Sequence, residues 1–413
     1  MQVTYENARD NNGLVPQQQR VTSGLLHRRP DEKRIRTTLR SIICVSIFST
    51  ACLLASVGLH AQMAYPSAVY DPTSPNPVAV FFENSGVLKD FYYNGTKWVS
   101  QSQGKPSGTT AAYVGTAVYD PASSNPIAVF VAGVNGDLFD KYYDSTTAKW
   151  VWQSQGNPGV SIFGSAAVYD PASSNPIIDF VGGTNGQLYD KYYDNGASDW
   201  VWQSQGLPTG TTVAYVGTAL YDPTSSNPLM VWVTGANGHL LDLYYDNNTH
   251  DWLWQDQGTP PGTTAVGAAS AFYQPTSHPV TAFVTGANGH LFVNYYNGTK
   301  WVWRDQGTPT GATVVGTPSA LYDPTSSNSN VAFVVGSNGH LFSNYYNGKK
   351  WVWQDQDAPT GELVSSTAGV STLYNPGTNP ADPLIAFVMG ATTGDLYENY
   401  WNGSAWEWEK LGK

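Results

Sequence analysis

Cysteine, arginine and charge are all scarce in this chain of 413 residues. Its two cysteines, Cys44 and Cys52, lie near the N-terminus, so the sequence that follows them folds without disulfides or thiolate-bound metal. Charged residues make up 12% of the chain, and Arg304 is the one arginine after residue 40. Nucleic acids and anionic lipids are bound by clustered basic residues, so this composition argues against both as partners of the C-terminal part.

The sequence also lacks the motifs of common catalytic and metal sites. It contains no Asp-x-Asp-x-Asp-Gly calcium loop, no Gly-x-Ser-x-Gly nucleophile elbow, and no His and carboxylates at metal-binding spacing. We therefore predict that the protein is not an enzyme and that it uses no metal and no cofactor.

What the sequence does contain is one segment repeated seven times from Tyr65 to the C-terminus. The aligned tyrosines, from Tyr70 to Tyr374, lie 49 to 52 residues apart. Each copy has four short runs rich in Val, Phe, Tyr, Trp and Thr, separated by Pro, Asn and Gly, which predicts four strands. Seven such units predict an all-β fold, a seven-bladed β-propeller of four-stranded antiparallel blades over residues 64–413. The units start near Tyr65, Thr116, Ser165, Thr218, Ser270, Ser319 and Ser371.

The N-terminal segment differs from the repeats. Residues 1–41 are polar and basic, and residues 42–63 form an apolar run that is either a signal peptide or a membrane anchor. Positive charge before this run keeps the N-terminus in the cytoplasm in both cases. We therefore predict an exported propeller, either secreted or periplasmic, or anchored to the membrane through this run alone. Residues 1–63 hold eight Lys and Arg against four Asp and Glu, and the remaining residues hold 12 against 27, so the propeller is acidic.

The turn between the third and fourth strands of each unit predicts their register. Asn-Gly is typical of a two-residue hairpin loop. A loop at Asn297-Gly298 sets His290 opposite Asp305 and also fixes the cross-strand pairs between these residues and the loop. His occurs in a unit only where its predicted partner is Asp, which supports this register. The predicted pairs are His239–Asp256, His290–Asp305, His340–Asp355, Asp395–Lys410, Phe292–Trp303, Phe342–Trp353, Asn294–Trp301, Asn344–Trp351 and Asn399–Trp406.

Alternation along a strand places both tryptophans of a unit on one face, beside a residue that varies between blades. Sugar rings stack on aromatic faces and bond to amides, carboxylates and imidazoles, so this wall predicts carbohydrate-binding sites. A simpler interpretation, which we favour for most of the indole surface, is that the tryptophans pack blade against blade. For the His–Asp pairs, the simpler interpretation is a solvated cross-strand ion pair that stabilises the blade edge, and we slightly favour it. The candidate ligand-binding residues are His239, Trp254, Asp256, His290, Asn294, Trp301, Trp303, Asp305, His340, Asn344, Trp351, Trp353, Asp355, Asn399, Trp406 and Trp408.

These motifs resemble a known family. The order Trp-x-Trp, an apolar strand, Asn-Gly-x-Leu and Tyr-Tyr-Asn-Gly is similar to the seven-bladed propeller lectins of the Photorhabdus type, over residues 65–413. The resemblance implies multivalent binding of fucose- or galactose-like sugars in clefts between neighbouring blades. Gln-Ser-Gln or Gln-Asp-Gln stands where that family usually has an apolar residue, so the sugar is left open.

Two alternatives remain beside a lectin. A surface scaffold that binds protein is the first, with aromatic walls that are purely structural. A divergent glycoside hydrolase is the less favoured one, because the arginine cluster and the Ser-x-Asp-x-Gly-x-Thr-Trp box of sialidase-type propellers are absent. Units 5 and 6 combine both tryptophans with the His–Asp pair and an asparagine, so we expect the strongest sites there. Unit 1, with Ser100 in place of the second tryptophan, cannot form the same site.

Overall fold

The computed structural model describes residues 65–275, 280–376 and 384–413. The predicted leader and apolar segment, residues 1–63, lie outside this range and stay predictions. Within the described ranges the regular structure consists of 28 β-strands. None of the described residues belongs to a helix with the length and hydropathy needed to cross a membrane.

Blades 1 to 4 follow one another along the chain, four strands to a blade. The strands of blades 1 and 2 are β1 Ser67–Tyr70, β2 Val78–Asn84, β3 Val87–Tyr93, β4 Trp98–Gly104, β5 Ala111–Tyr119, β6 Ile127–Gly133, β7 Leu138–Asp144 and β8 Lys149–Gly156. The strands of blades 3 and 4 are β9 Ile162–Tyr169, β10 Ile177–Gly183, β11 Leu188–Asp194, β12 Asp199–Gly206, β13 Val213–Tyr221, β14 Leu229–Gly235, β15 Leu240–Asp246 and β16 Asp251–Asp256.

Blades 5 to 7 repeat the same plan. Their strands are β17 Ala265–Tyr273, β18 Val280–Gly286, β19 Leu291–Tyr296, β20 Trp301–Asp305, β21 Val314–Tyr322, β22 Asn330–Gly336, β23 Leu341–Tyr346, β24 Trp351–Asp355, β25 Val370–Tyr374, β26 Leu384–Met389, β27 Leu396–Trp401 and β28 Trp406–Gly412. Each blade is a four-stranded antiparallel sheet in sequence order. The predicted seven-bladed, all-β propeller is therefore confirmed.

The first strand of each blade is the innermost. First-strand residues of all seven blades line one axial cavity of about 260 Å³. The ring closes without an exchanged strand, because β1 pairs with β2 while β25 to β28 form their own sheet. The seventh blade meets the first through side chains: Ser371 Oγ accepts the Ala68 N–H at 3.1 Å, and Trp98 packs edge-to-face on Phe387.

The predicted register of the third and fourth strands is wrong by two residues. Tyr296, not Asn294, faces Trp301, and Phe292 faces Asp305. The turn residues are Gly298 and Thr299, because the Asn297 N–H donates to the Lys300 carbonyl at 3.0 Å. The corresponding corrected pairs are Asn294–Trp303, Asn344–Trp353, Asn399–Trp408, Leu241–Asp256, Phe342–Asp355 and Tyr397–Lys410.

The turn lies one residue later in the chain than predicted, because Asn297 precedes the two central turn residues instead of being one of them. Its side-chain oxygen accepts the N–H groups of Thr299 and Lys300, both at 3.0 Å. Gly298 then occupies the first central position with φ of 88°, the position that a type II′ turn reserves for glycine. A shift of two leaves every side chain on its predicted face of the sheet, since the side-chain period is two.

Candidate functional site

The first tryptophan of each blade packs against the blade before it. Trp301 lies edge-to-face on Trp232 with ring centroids 5.2 Å apart, and Trp351 lies the same way on Phe283 at 5.4 Å. Trp406 packs similarly on Phe333. These contacts fix which faces meet: the face that carries Trp301 abuts the opposite face of blade 4.

In blades 2 to 7 the second tryptophan makes a hydrogen bond to the preceding blade. Trp303 Nε1 donates to the carbonyl of Gln257 at 2.8 Å. The same bond, at 2.8 to 3.0 Å, is made by Trp152, Trp202, Trp254, Trp353 and Trp408 to Gln103, Gln155, Gln205, Gln306 and Gln356. Blade-to-blade packing, the simpler interpretation of the tryptophans, therefore accounts for the buried part of these rings.

The three candidate asparagines are buried behind the tryptophans. Asn294 and Asn344 are each 1% exposed, and Asn399 is fully buried. In the observed register each asparagine lies opposite a second tryptophan, and its role at the edge of a ligand cleft stays a prediction. In blades 2 and 3 a lysine takes this place, and Lys141 Nζ lies 5.1 Å from the centroid of the Trp152 ring.

The three His–Asp pairs do form, although their backbones are not directly opposite. Nδ1 of His239 and of His290 lies 2.9 Å from a carboxylate oxygen of Asp256 and of Asp305, and His340 is 3.1 Å from Asp355. The Asp395–Lys410 pair is also formed, at 2.6 Å. Each histidine reaches its aspartate diagonally across the ladder, which a long side chain can do.

The predicted site residues separate into two groups along each blade. Trp301 pairs with Tyr296 at one end of the hairpin, whereas Asp305 pairs with Phe292 four residues away, roughly 13 Å at 3.3 Å per residue. We call the end with the third-to-fourth-strand hairpins and the first-to-second-strand loops the hairpin end. The first tryptophans lie at the hairpin end, and the His–Asp pairs lie at the opposite end, so one sugar unit cannot contact both.

An open cleft of about 830 Å³ lies between blades 4 and 5 at the hairpin end. We call it cleft 4/5. Blade 5 contributes the rings of Tyr296 and Trp301 together with Lys300. Blade 4 contributes polar groups, among them Asp222, Ser225, Asn227, Asp242, Tyr244, Gln255 and Gln257. The cleft thus combines an aromatic wall with acids, amides and hydroxyls on the facing side.

A second cleft of the same construction lies between blades 1 and 2. This cleft 1/2 has a volume of about 680 Å³, with Tyr143 and Trp150 from blade 2 and Lys141 and Lys149 beside them. The facing residues of blade 1 are Asp71, Asn76, Asp90, Tyr92, Gln101 and Gln103. Equivalent positions of the repeat therefore line equivalent clefts.

A buried aspartate forms the floor of each cleft. Asp242 Oδ1 accepts a hydrogen bond from Gln257 Nε2 at 2.7 Å, and Asp90 accepts one from Gln103 at 2.9 Å. Burial raises the pKa of both carboxyls to about 7, and the glutamine bond opposes this rise only partly. Lys141 faces Asp90, and burial lowers the pKa of that lysine to about 8.

Sequence reasoning missed these cleft residues. The signal was present: Asp stands two residues before the Tyr-Tyr pair in blades 1 to 4, and the second Gln of Gln-x-Gln follows in each. Asp-Pro dipeptides such as Asp222-Pro223 are typical of turns. Asp222 does hold its turn, by accepting the Thr224 N–H at 2.8 Å, but the same loop also lines cleft 4/5.

One group of side chains has the geometry of a cation site. The ligand atoms of His340, Asp355 and Asp357 lie within 4.8 Å of one another at the end opposite the hairpins. Blades 4 and 5 have Gly258 and Gly307 in place of Asp357. All three side chains are exposed or half-exposed, and His340 is already bonded to Asp355, so the arrangement is also that of a solvated ion pair.

Comparisons with solved structures agree with this fold. The chain is similar to the BP39L lectin from Burkholderia pseudomallei, with 18% sequence identity and a TM-score of 0.63 over 84% of this chain and 98% of that one. It is similar to BBS1N, solved in complex with ARL6DN, with 15% identity and a TM-score of 0.50 over 81% of this chain and 94% of that one. The Aleuria aurantia lectin, described as a six-bladed propeller, has 16% identity and a TM-score of 0.48 over 72% and 98%.

The similarities to the BP39L lectin and to BBS1N concern the fold alone, because the identities are too low to carry residue roles. The resemblance to propeller lectins is confirmed at that level. No family model matches the chain. No curated protein matches it in sequence.

Proposed function

We propose that this protein binds carbohydrate, as an exported, multivalent and non-catalytic lectin whose ligands occupy the clefts between blades. The observation that carries the proposal is cleft 4/5. It places Trp301 and Tyr296 opposite Asp242, Gln255 and Gln257, in a space large enough for a monosaccharide and open to solvent. Sugars need this combination, because their C–H patches stack on rings while their hydroxyls bond to polar groups.

Repetition supports binding over catalysis. Cleft 1/2 contains the same kinds of side chain at equivalent positions, so the polar groups of cleft 4/5 recur in a second cleft instead of forming one asymmetric centre. Several weak sites on one rigid ring gain avidity on a surface that displays many sugars. The similarity to a propeller named as a lectin, BP39L, points to the same class of ligand.

Glycans or glycoconjugates are therefore the proposed partners, with fucose- and galactose-type sugars as the first to test. Nucleic acid is not a proposed partner, because the propeller carries 12 Lys and Arg against 27 Asp and Glu. Export is proposed on the sequence of residues 1–63 alone, with the propeller outside the cytoplasm.

The test is binding of the full chain to a glycan array, followed by competition with free monosaccharide at millimolar concentration. The proposal expects a restricted set of glycans and loss of binding on competition. Trp301→Ala should weaken binding if the protein stays folded, whereas His290→Gln, at the other end of the same blade, should not. A folded protein that binds no glycan would instead favour a propeller scaffold that recognises protein.

A further inference from the structure

The floor of the clefts is not the same in all blades. Blades 1 to 4 carry an aspartate in the third strand, two residues before the Tyr-Tyr pair, and it accepts a hydrogen bond at 2.7 to 2.9 Å from a glutamine in or just after the fourth strand: Asp90–Gln103, Asp140–Gln155, Asp190–Gln205 and Asp242–Gln257. The equivalent residues of blades 5 to 7 are Val293, Ser343 and Glu398. In blade 5 the replacement of the aspartate by valine removes a hydrogen-bond acceptor, and Gln306 Nε2 is buried without a partner among the described residues.

The glutamate of blade 7 shows what this position can reach. Glu398 Oε1 accepts a hydrogen bond at 2.6 Å from Nε1 of Trp98, the first tryptophan of blade 1. Trp98 is to blade 7 what Trp301 is to blade 4 and Trp150 is to blade 1. The carboxylate and the indole N–H on facing blades are therefore complementary groups, and one extra methylene is enough to join them directly.

The shorter aspartates leave that bond unmade. Asp242 and Asp90 bond to their glutamines, and no hydrogen bond joins them to Trp301 or Trp150 in the described part of the chain. The acid and the tryptophan line one open space in each case. An acceptor on one wall and a donor on the other suit a single hydroxyl, which donates to the carboxylate and accepts from the indole N–H.

We propose that Asp90, Asp140, Asp190 and Asp242 are the specificity-determining residues of the clefts. They select neutral sugars by accepting a hydroxyl proton, with the following blade's first tryptophan donating to the same hydroxyl. Acidic sugars are disfavoured, because a buried carboxylate repels another placed beside it. This inference rests on the proposed lectin function and goes beyond it by naming the class of sugar and the four residues that choose it.

The charge of cleft 4/5 supports this selection. Two acids, Asp222 and Asp242, line it against one base, Lys300. Cleft 1/2 has two bases, Lys141 and Lys149, where cleft 4/5 has one. Lys141 Nζ, however, already donates to the Trp150 carbonyl at 3.2 Å and lies over the Trp152 ring. Since burial raises the pKa of the floor aspartates to between about 6 and about 7, the test is made at pH 8, where they are ionised.

The experiment replaces all four aspartates with asparagine in the full chain. Asparagine has the same shape and keeps an oxygen for the glutamine N–H, so the fold should survive, and thermal melting verifies this. The matched control is Asp179→Asn, another buried aspartate, which is bonded to Ser165 near the axial cavity and lies outside the clefts. Titration calorimetry uses methyl α-fucoside and methyl β-galactoside as neutral probes and the methyl glycoside of N-acetylneuraminic acid as the acidic one.

The wild type should bind a neutral probe in preference to the acidic one. The fourfold variant should bind that neutral probe about tenfold or more weakly, since a charge-assisted hydrogen bond is lost in each cleft, and Asp179→Asn should bind as the wild type does. If the wild type binds a sugar and the folded fourfold variant binds it equally well, the aspartates do not choose the ligand, although the lectin function stands. If the wild type prefers the acidic probe, the proposed selectivity is wrong. If the wild type binds none of the sugars, both the lectin function and the selecting role of the four aspartates are wrong.

Discussion

The hydrogen bond from the second tryptophan to the preceding blade can be isolated by comparing two substitutions in blade 5. Trp303→Phe removes the donor that reaches the Gln257 carbonyl at 2.8 Å. Trp301→Phe removes the same atoms from a ring that packs on Trp232 but makes no such bond to a described residue. Both indoles are half-buried, so the hydrophobic losses are comparable.

The carbonyl left without a donor decides the difference between the two variants. An unsatisfied buried polar group costs about 1–3 kcal/mol, and solvent at the edge of the blade places this one at the lower end. We therefore expect Trp303→Phe to lower the free energy of unfolding by about 1–2 kcal/mol more than Trp301→Phe does. Equilibrium unfolding in urea, followed by the fluorescence of the remaining tryptophans, measures both variants against the wild type.

Similar losses in the two variants would show that the indole bond contributes nothing beyond ring packing. A larger loss in Trp301→Phe would show that the edge-to-face contact with Trp232 is the stronger link between the blades. Either result contradicts the reasoning, provided that the dependence of unfolding on urea is the same in all three proteins.

Three further predictions follow from the same structure. First, the free energy of unfolding should fall as the pH rises from 5 to 8, because burial gives the four floor aspartates folded pKa values of about 6 to about 7, above the ordinary aspartate value of 3.8, so that the folded state holds protons that the unfolded state has already lost. Melting temperatures of the fourfold asparagine variant should lose this slope. Second, His290→Gln should change stability by less than about 1 kcal/mol, since the His290–Asp305 pair is more than a third exposed; a larger change in a melt would mean that the pair is structural. Third, Glu398→Ala should accelerate amide hydrogen exchange in β4 and β27, the strands that carry Trp98 and Glu398, because it leaves the Trp98 N–H without its acceptor; unchanged exchange would show that ring closure depends on other contacts.

The fold was predictable because several independent sequence signals in each repeat indicate the same four strands. Strand runs, turn residues and the period of the repeat all agree, and seven copies average out local irregularities. The register failed at one point for a specific reason. Asn-Gly fits two turn placements, and the choice between them depends on whether the side-chain oxygen of Asn297 bonds forward to Thr299 and Lys300. The predicted face of the sheet was still correct for each side chain, because the two registers differ by two residues, which is one full side-chain period.

The candidate site was harder to predict because its two walls come from different repeats. Sequence reasoning compared the third and fourth strands within one unit, where His290 and Asp305 vary together, and so it found a pair at the end away from cleft 4/5. Trp301 and Asp242 also face one another across a cleft, but they are separated by a blade boundary. Identifying such a pair requires knowing which face of each blade meets which face of the next, and that is a property of the closed ring.

The repeats themselves suggest where function should be sought in this molecule. Positions that join the blades, such as the second tryptophan and its carbonyl partner, hardly vary in blades 2 to 7, because every junction needs them. The cleft floor does vary, from Asp242 to Val293 to Glu398, although the surrounding packing is retained. At Glu398 the longer side chain bonds directly to the tryptophan that faces it. The variation therefore changes what a cleft can accept without changing how the blades are held together, and that is the property expected of positions that contact ligands.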